Sequence, residues 1–194
     1  MHLLMHPSAR AGRRSLSTKG ALAGMVGGIA GTLAMNYAQR LWTLAVDGEL
    51  PASGADEHDA RDWQERSEHQ NSNELAAQVL ARLTINRPLS DEELAIVAPV
   101  IHFSFGAAVG ALYGAYVDAA PGHRRSGTVM GSALWLTADE IAMPVLGLSD
   151  STLERPFEMH CQSFVAHLVY GVVAERVRRV TRRAIGRRSS PRSS

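Results

Sequence analysis

The sequence predicts an all-α protein: a bundle of four transmembrane helices with a polar extracytoplasmic connection that contains a short amphipathic helix. Three stretches of 19, 24 and 23 residues carry almost no charge, and a fourth of 16 residues carries none. A helix needs roughly 20 apolar residues to cross the hydrocarbon layer of a bilayer. The segments between these stretches alternate in the sign of their charge, which is typical of a chain that crosses a membrane repeatedly.

The four predicted helices lie between a basic N-terminal segment and an Arg-rich tail. They cover about residues 19–46, 91–117, 126–148 and 157–179. The second is the clearest, because Leu94–Val117 contains no Asp, Glu, Lys or Arg and has almost no polar face to offer to water. This disfavours the alternative of a soluble helical bundle. We expect residues 1–18 and 180–194 to be disordered.

Local signals mark the ends of these helices. Ser90 and Glu93 form a capping box, with Ser90 as the N-cap and Glu93 three residues later, so the second helix begins here. Pro144 is expected to kink or end the third helix. Pro156 stands at the favoured first turn of the fourth.

The charges between the helices predict the orientation of the chain. Basic, acidic, basic, acidic and basic segments alternate over residues 1–19, 47–93, 118–125, 149–158 and 176–194. The second of these has twelve acidic residues against four Arg, and the last has eight Arg and no acid. Because Lys and Arg are retained on the cytoplasmic side, we expect a multi-pass protein of the bacterial inner membrane with both termini in the cytoplasm.

The N-terminus allows a second interpretation. Arg13 and Arg14 precede an apolar run, which loosely matches a twin-arginine signal. Cleavage would then remove the first span. That interpretation is disfavoured, because losing one span would spoil the alternation of charge.

The connection over residues 47–90 contains one amphipathic segment. In Asn73–Thr84 the residues Leu75, Val79, Leu80 and Leu83 repeat at helical spacing. The segment is too short to span, so we expect a helix that lies on the outer leaflet or against the bundle.

Small residues recur every four positions in each predicted span. The glycines of these ridges are Gly20, Gly24, Gly28, Gly106, Gly110, Gly114, Gly127, Gly131 and Gly171. Small residues at this spacing let helix backbones approach closely in lipid, where apolar burial gives no drive to associate. We expect them to serve helix packing, either within the chain or in a homo-oligomer or a complex with another membrane protein.

Polar residues interrupt the same spans. Asn36, His102, Asp139 and His167, one on each helix, are expected at a similar depth in the membrane and form a predicted polar layer. A secondary set consists of Arg40, Glu140, Glu158 and His160. An ionisable residue inside a span is a functional hypothesis by default.

Four interpretations of this layer remain open. Neutral imidazoles could simply hydrogen-bond Asp139 and hold the helices together. Asp139, His102 and His167 could form a proton- or cation-responsive site, since His changes charge near neutral pH. Imidazole and carboxylate could hold a transition metal, or His102 and His167 could ligate a haem between the second and fourth helices.

Other chemistry is weakly indicated. The single cysteine, Cys161, excludes a disulfide framework and is expected to be a packing residue. Nucleotide-binding, hydrolase and zinc-protease motifs are missing. We therefore expect no catalytic residues and no cofactor. The Arg-rich tail is better explained by orientation and anionic lipid than by nucleic acid, so the expected partner is the lipid bilayer.

Three stretches together resemble one family. Residues 102–114, 135–148 and 156–175 are similar to the last three helices of the YagU-like bacterial inner-membrane proteins, for example in the His-Leu-Val-Tyr-Gly run at 167–171. The chain departs from that pattern at Asp139, Glu140 and Ala166. The resemblance implies the same location and topology, and it implies no substrate, because the family has no known biochemical function.

From the residues and the resemblance together we expect a non-enzymatic membrane protein. The leading hypothesis is a role in envelope or proton/ion homeostasis through the polar layer. The alternative is a scaffold or accessory subunit in which that layer is structural, and the second alternative is a metal- or haem-binding membrane protein.

Overall fold

The structure, a computed structural model, describes residues 17–47, 68–119, 126–147 and 157–188. All its elements within these ranges are helical, so the predicted all-α class is confirmed for this part of the chain. The helices are α1 (Thr18–Asp47), α2 (Glu68–Ile85), α3 (Asp91–Ala119), α4 (Gly127–Leu134, then a π-helix over Trp135–Ala142, then Met143–Val145) and α5 (Phe157–Arg188). The predicted disorder of residues 1–16 and 189–194, the acidic stretch 48–67 and the loops at 120–125 and 148–156 lie outside the described residues.

The helices pack side by side around α1. One side of α1 contacts α3 and another contacts α5, while α4 packs against α5 and α2 packs against α3. Tyr170 links α5 to α3, because its hydroxyl donates a 2.7 Å hydrogen bond to the carbonyl oxygen of Gly106.

Glycine allows the backbones to touch at these contacts. A Cβ built on Gly110 would lie 2.8 Å from the Cα of Gly28, and one on Gly171 would lie 2.9 Å from the Cα of Gly131. Real Cβ atoms do not come so close, so each larger residue would push two helices apart. Eight of the nine ridge glycines face the backbone of another helix in this way, and Gly106 faces the side chain of Thr32.

Small and polar side chains fill the interior, and large apolar ones face outwards. The buried apolar residues are mostly alanines, and the buried polar ones are Thr32, Asp139, Ser163, His167, Glu175 and Arg178. Large exposed apolar side chains occur on every helix, as at Leu112, Val145 and Phe157. A water-soluble helical protein buries its apolar stripe instead.

Among the described residues, two helices are long and apolar enough to cross a membrane. They are Thr18–Ala45 within α1 and Asp91–Ala119, which is α3. Only 17% of the most apolar window of α3 is buried within the protein, and 39% of that of α1. The core helix of a soluble protein would be mostly buried, so these two helices suggest a membrane protein.

The start of α3 confirms the predicted capping box. The amide of Glu93 donates to Ser90 Oγ at 3.3 Å, and the amide of Ser90 donates to Glu93 Oε2 at 2.9 Å. Arg87 adds a hydrogen bond of 2.6 Å to Glu93 Oε1, and this carboxylate raises the pKa of the exposed Arg87 above its usual value. The entry to α3 is therefore fixed by side chains within seven residues of one another.

The third predicted helix differs from a continuous α-helix. Its middle, Trp135–Ala142, is π-helical, with hydrogen bonds five residues apart instead of four. Pro144 lies in the last turn, and the helix ends before Gly147, whose φ of 66° is in the left-handed region that favours glycine. The sequence pattern did not indicate the π-helix.

The Arg-rich tail is corrected in part. Residues 180–188 were expected to be disordered, but α5 continues as a helix through Arg188. Arginine is a good helix former. In addition, Arg182 hydrogen-bonds Asp118 of α3, which holds this end of α5 against the neighbouring helix.

Candidate functional site

The π-helix presents two neighbouring carboxylates to α5. Successive residues of an α-helix point about 100° apart, so only one of such a pair normally faces a given neighbour. In the wider π-helical turn, Asp139 reaches Ser163 and His167 while Glu140 reaches His160. A π-helical turn within an α-helix is frequently found at a functional site. We call these five residues the His–carboxylate cluster.

Asp139 is the centre of this cluster. Its side chain is buried, and its Oδ2 accepts a hydrogen bond from Ser163 Oγ. The same oxygen lies 3.7 Å from His167 Nδ1, which is also 2.9 Å from the carbonyl oxygen of Ser163. One turn of α5 therefore binds the carboxylate with a hydroxyl and faces it with a buried imidazole.

Glu140 and His160 form the second pair. His160 Nδ1 lies 2.8 Å from Glu140 Oε1, and the two side chains are 17% and 7% exposed. On α5, His160, Ser163 and His167 recur at a spacing of three and four, so they share one helix face. Each of the two carboxylates thus has its own histidine on that face.

The structure places the remaining predicted residues differently. Asp139 and His167 of the predicted layer come together, whereas Glu140 and His160 belong to the buried cluster rather than to a secondary set. Asn36 on α1 and His102 on α3 are half-buried, and the ring of His102 lies edge-on to Phe103 with centroids 6.3 Å apart. Arg40 and Glu158 are exposed.

A second polar cluster was missed by sequence reasoning. Arg178 is the largest fully buried side chain among those described, and it donates to Glu175 through Nε at 2.6 Å and Nη2 at 2.9 Å. Its Nη1 lies 3.5 Å from Asp118 Oδ1. Arg179 donates to Glu175 at 2.5 Å, and Arg182 donates to Asp118. We call these five residues the Arg–carboxylate cluster.

The Arg–carboxylate cluster joins three helices at one end of the protein. Ser17 caps α1 by accepting from the amide of Gly20 at 3.0 Å, and its hydroxyl lies 3.1 Å from Asp118 Oδ2 at the end of α3. The remaining members lie on α5. Their spacing in sequence, Glu175 followed by Arg178, Arg179 and Arg182, is the signal that could have found them, because residues three, four and seven apart share a helix face. Sequence analysis had counted these arginines only as markers of orientation.

Two buried polar atoms lack a hydrogen-bond partner among the described residues: the Tyr113 hydroxyl and Trp135 Nε1. Buried polar atoms are usually paired, directly or through water. Trp135 is one turn before Asp139, and its ring lies edge-on to Phe164 of α5 with centroids 5.0 Å apart. Tyr113 lies under the Arg178 guanidinium at 5.9 Å. One such atom therefore lies near each cluster.

A metal site finds no support in the ranges that the structure covers. There, no group of three or more His, Cys, Asp or Glu side chains is arranged to hold a metal ion. The His–carboxylate cluster instead forms two pairs, Asp139 with His167 and Glu140 with His160.

Comparison with known proteins identifies a family. Residues 63–176 match the family described as "Protein of unknown function (DUF1440)". The chain belongs to the DUF1440 family. No curated protein and no solved structure gave a significant match.

The DUF1440 match includes the whole His–carboxylate cluster but only part of the Arg–carboxylate cluster. It covers α2, α3, α4 and the first part of α5, and with them the whole His–carboxylate cluster. It ends at residue 176, so Arg178, Arg179 and Arg182 lie beyond it, as does α1.

Proposed function

We propose that this DUF1440 protein is a multi-pass protein of the bacterial inner membrane whose His–carboxylate cluster serves proton or ion homeostasis. In this proposal α1, α3, α4 and α5 cross the bilayer, and the N- and C-termini are cytoplasmic. The lipid bilayer is the principal partner. The resemblance to the YagU-like proteins supports the same location.

The outward-facing apolar surface supports four spans. α5 is less apolar overall than α1 and α3, but the polar groups of α4 and α5 pack against each other while Val129, Val145 and Val165 are exposed. In lipid this arrangement is favourable, since polar side chains inside spans face other helices. The close backbone contacts at the ridge glycines support the same proposal, because such contacts drive helix association in lipid.

The observation that carries the functional proposal is the pairing of each π-helical carboxylate with its own histidine, buried at His167 and partly buried at His160. A protonated imidazole beside the Asp139 or Glu140 carboxylate forms an ion pair, and a neutral one donates a hydrogen bond to it. Histidine is the side chain that most often exchanges protons near neutral pH, which supports a proton-linked role for these pairs.

Ion flux through vesicles tests this proposal. Purified full-length protein is reconstituted in vesicles that contain a pH-sensitive dye, and a potential is imposed with valinomycin and a K⁺ gradient. We expect proton-dependent fluorescence changes with the wild type, and their loss in Asp139→Asn. Glu92→Gln, which changes an exposed carboxylate at the start of α3, is the matched control and should behave as wild type.

The competing function, a scaffold whose polar groups only hold the helices together, gives a different result. Wild-type vesicles would then be as tight as protein-free ones, and Asp139→Asn would lower stability in detergent without changing any flux. A reporter fused behind residue 194 tests the orientation, because green fluorescent protein folds in the cytoplasm and alkaline phosphatase is active only outside it. Phosphatase activity of that fusion would overturn the proposed topology.

A further inference from the structure

The amphipathic helix α2 leaves its apolar face uncovered. The large side chains of this face are exposed, with Leu83 at 79%, and they are Leu75, Val79, Leu80 and Leu83. They recur at the three- and four-residue spacing of one helical stripe. A stripe of this kind normally marks the side of a helix that is buried, so its exposure requires an occupant.

The other face of α2 is already occupied by α3. Ala77 and Ala81 are 1% and 6% exposed, which identifies the small residues as the packing face. Gln78 fixes the position of α2, because its side-chain amide donates to the carbonyl oxygen of Leu89 at 3.0 Å and accepts from the Leu89 amide at 2.9 Å. Closing the apolar stripe onto α3 would require α2 to rotate and break this double hydrogen bond.

The start of α3 sets the level of α2 relative to the membrane. The capping box Ser90–Glu93 is polar and exposed or half-buried, and the charge-free stretch of α3 begins at the next residue. This boundary belongs at the surface of the bilayer. α2 ends at Ile85, five residues before Ser90, so its last turns are held at that surface by the short connection and by Gln78.

We propose that the apolar face of α2 inserts into the headgroup–acyl boundary of the leaflet where α3 begins. The occupant is lipid, because the first turns of α3 also expose large apolar side chains, Ile96 and Val100, which in the proposed topology face the acyl chains of the same leaflet. α2 is not among the helices apolar enough to span. A helix with an exposed apolar stripe that is too polar overall to span the membrane lies in the plane of the interface instead.

This inference depends on the proposed membrane location and is tested so that the two can fail separately. Single cysteines are introduced at residues 83, 82 and 100 of the full-length protein, with Cys161→Ser as background, and labelled with the fluorophore NBD. The protein is reconstituted in phosphatidylcholine–phosphatidylglycerol vesicles. Lipids carrying a nitroxide near the headgroup or deeper in the acyl chain quench a label that contacts them.

We expect the label at residue 83 to be quenched at least twofold more than the label at the exposed polar position Arg82 on the same helix. Quenching at 83 should be strongest with the shallow nitroxide. Residue 100 lies roughly 14 Å along α3 from residue 91, so its label should respond most to the deep nitroxide. Labels at residues 75 and 79 repeat the measurement if the variant at 83 does not fold.

The other outcomes of the quenching experiment overturn either the inference about α2 or the membrane proposal. If the label at 100 is quenched but the label at 83 is not, α2 does not touch lipid and this inference is wrong, while the membrane proposal stands. A blue-shifted label at 83 without quenching indicates a protein occupant, such as a second copy of the chain, and equally overturns the inference. If neither label is quenched, the membrane proposal is wrong as well.

Discussion

The two polar clusters both include side chains of α5, but they differ in the chemistry of their basic groups. The His–carboxylate cluster sets two imidazoles against two carboxylates, whereas the Arg–carboxylate cluster sets three guanidinium groups against two. Arginine stays charged at every physiological pH, and histidine does not. In the proposed function, the Arg–carboxylate cluster therefore fixes the helices and the His–carboxylate cluster exchanges protons.

The largest effect is expected on stability, from a substitution in the Arg–carboxylate cluster. Arg178→Ala removes the buried guanidinium that Glu175 and Asp118 share and leaves them only the less buried Arg179 and Arg182, which we expect to cost about 3 kcal/mol of unfolding free energy. The loss is measured by SDS titration of the purified chain in mild detergent. Arg179→Ala is the matched control, since the Arg179 side chain is 47% exposed and its loss should cost no more than about 1 kcal/mol. Equal losses of unfolding free energy in both variants would contradict the statement that Arg178 contributes most to the stability of the cluster.

A glycine substitution tests the His–carboxylate cluster without touching a polar group. A Cβ at Gly131 would lie 2.9 Å from the carbonyl carbon of His167, so Gly131→Ala must move α4 away from α5. We expect a loss of about 1–3 kcal/mol, measured by the same titration, together with loss of the pH-dependent flux.

Gly186→Ala is the control for this substitution. A Cβ there would meet only Arg182 Nη1 at 3.7 Å, an ordinary contact, so stability should stay unchanged or rise slightly. Unchanged flux in Gly131→Ala would show that the cluster does not depend on the close approach of α4 and α5.

A smaller effect is expected within the His–carboxylate cluster at Ser163. Ser163→Ala removes the hydroxyl that donates to Asp139, and we expect a loss of about 1 kcal/mol. The loss is measured by SDS titration in mild detergent. Ser104→Ala, at an exposed position on α3, should leave the stability unchanged, and wild-type stability of Ser163→Ala would argue that this hydroxyl does not hold Asp139.

The smallest effect on stability is expected for the exposed Arg87–Glu93 pair, which serves as the solvent-exposed reference for the buried pairs of both clusters. Arg87 and Glu93 meet at 2.6 Å, but both side chains are accessible to solvent. Water and salt screen such a pair, so the unfolding free energy of Arg87→Ala should equal that of the wild type. High salt should remove any remaining difference between the two. A large, salt-resistant loss in this variant would mean that surface charges also hold the fold, which would weaken the contrast between buried and exposed pairs.

The candidate site was predictable in its residue types but not in its pairing. Asp139 and His167 were singled out because ionisable residues are rare in apolar stretches, and the structure places them 3.7 Å apart. Glu140 and His160 were placed in the secondary set, His160 because it lies nearer the outer end of its helix. The sequence pattern did not indicate the π-helix in which Asp139 and Glu140 both reach α5. The Arg–carboxylate cluster was missed because its arginines were interpreted only as markers of orientation, and because Arg182 lay in the tail that was expected to be disordered.

The sequence by itself determined where the helices begin, which residues are small enough for close contact and which side chains carry charge. These properties depend on local features such as the capping box at Ser90 and the charge-free stretch Leu94–Val117. Only the tertiary structure decided that α1 lies between α3 and α5, that α4 contains a π-helix and that Arg178 is buried. The reason is that these features depend on contacts between residues far apart in the chain, whose energies no local pattern contains.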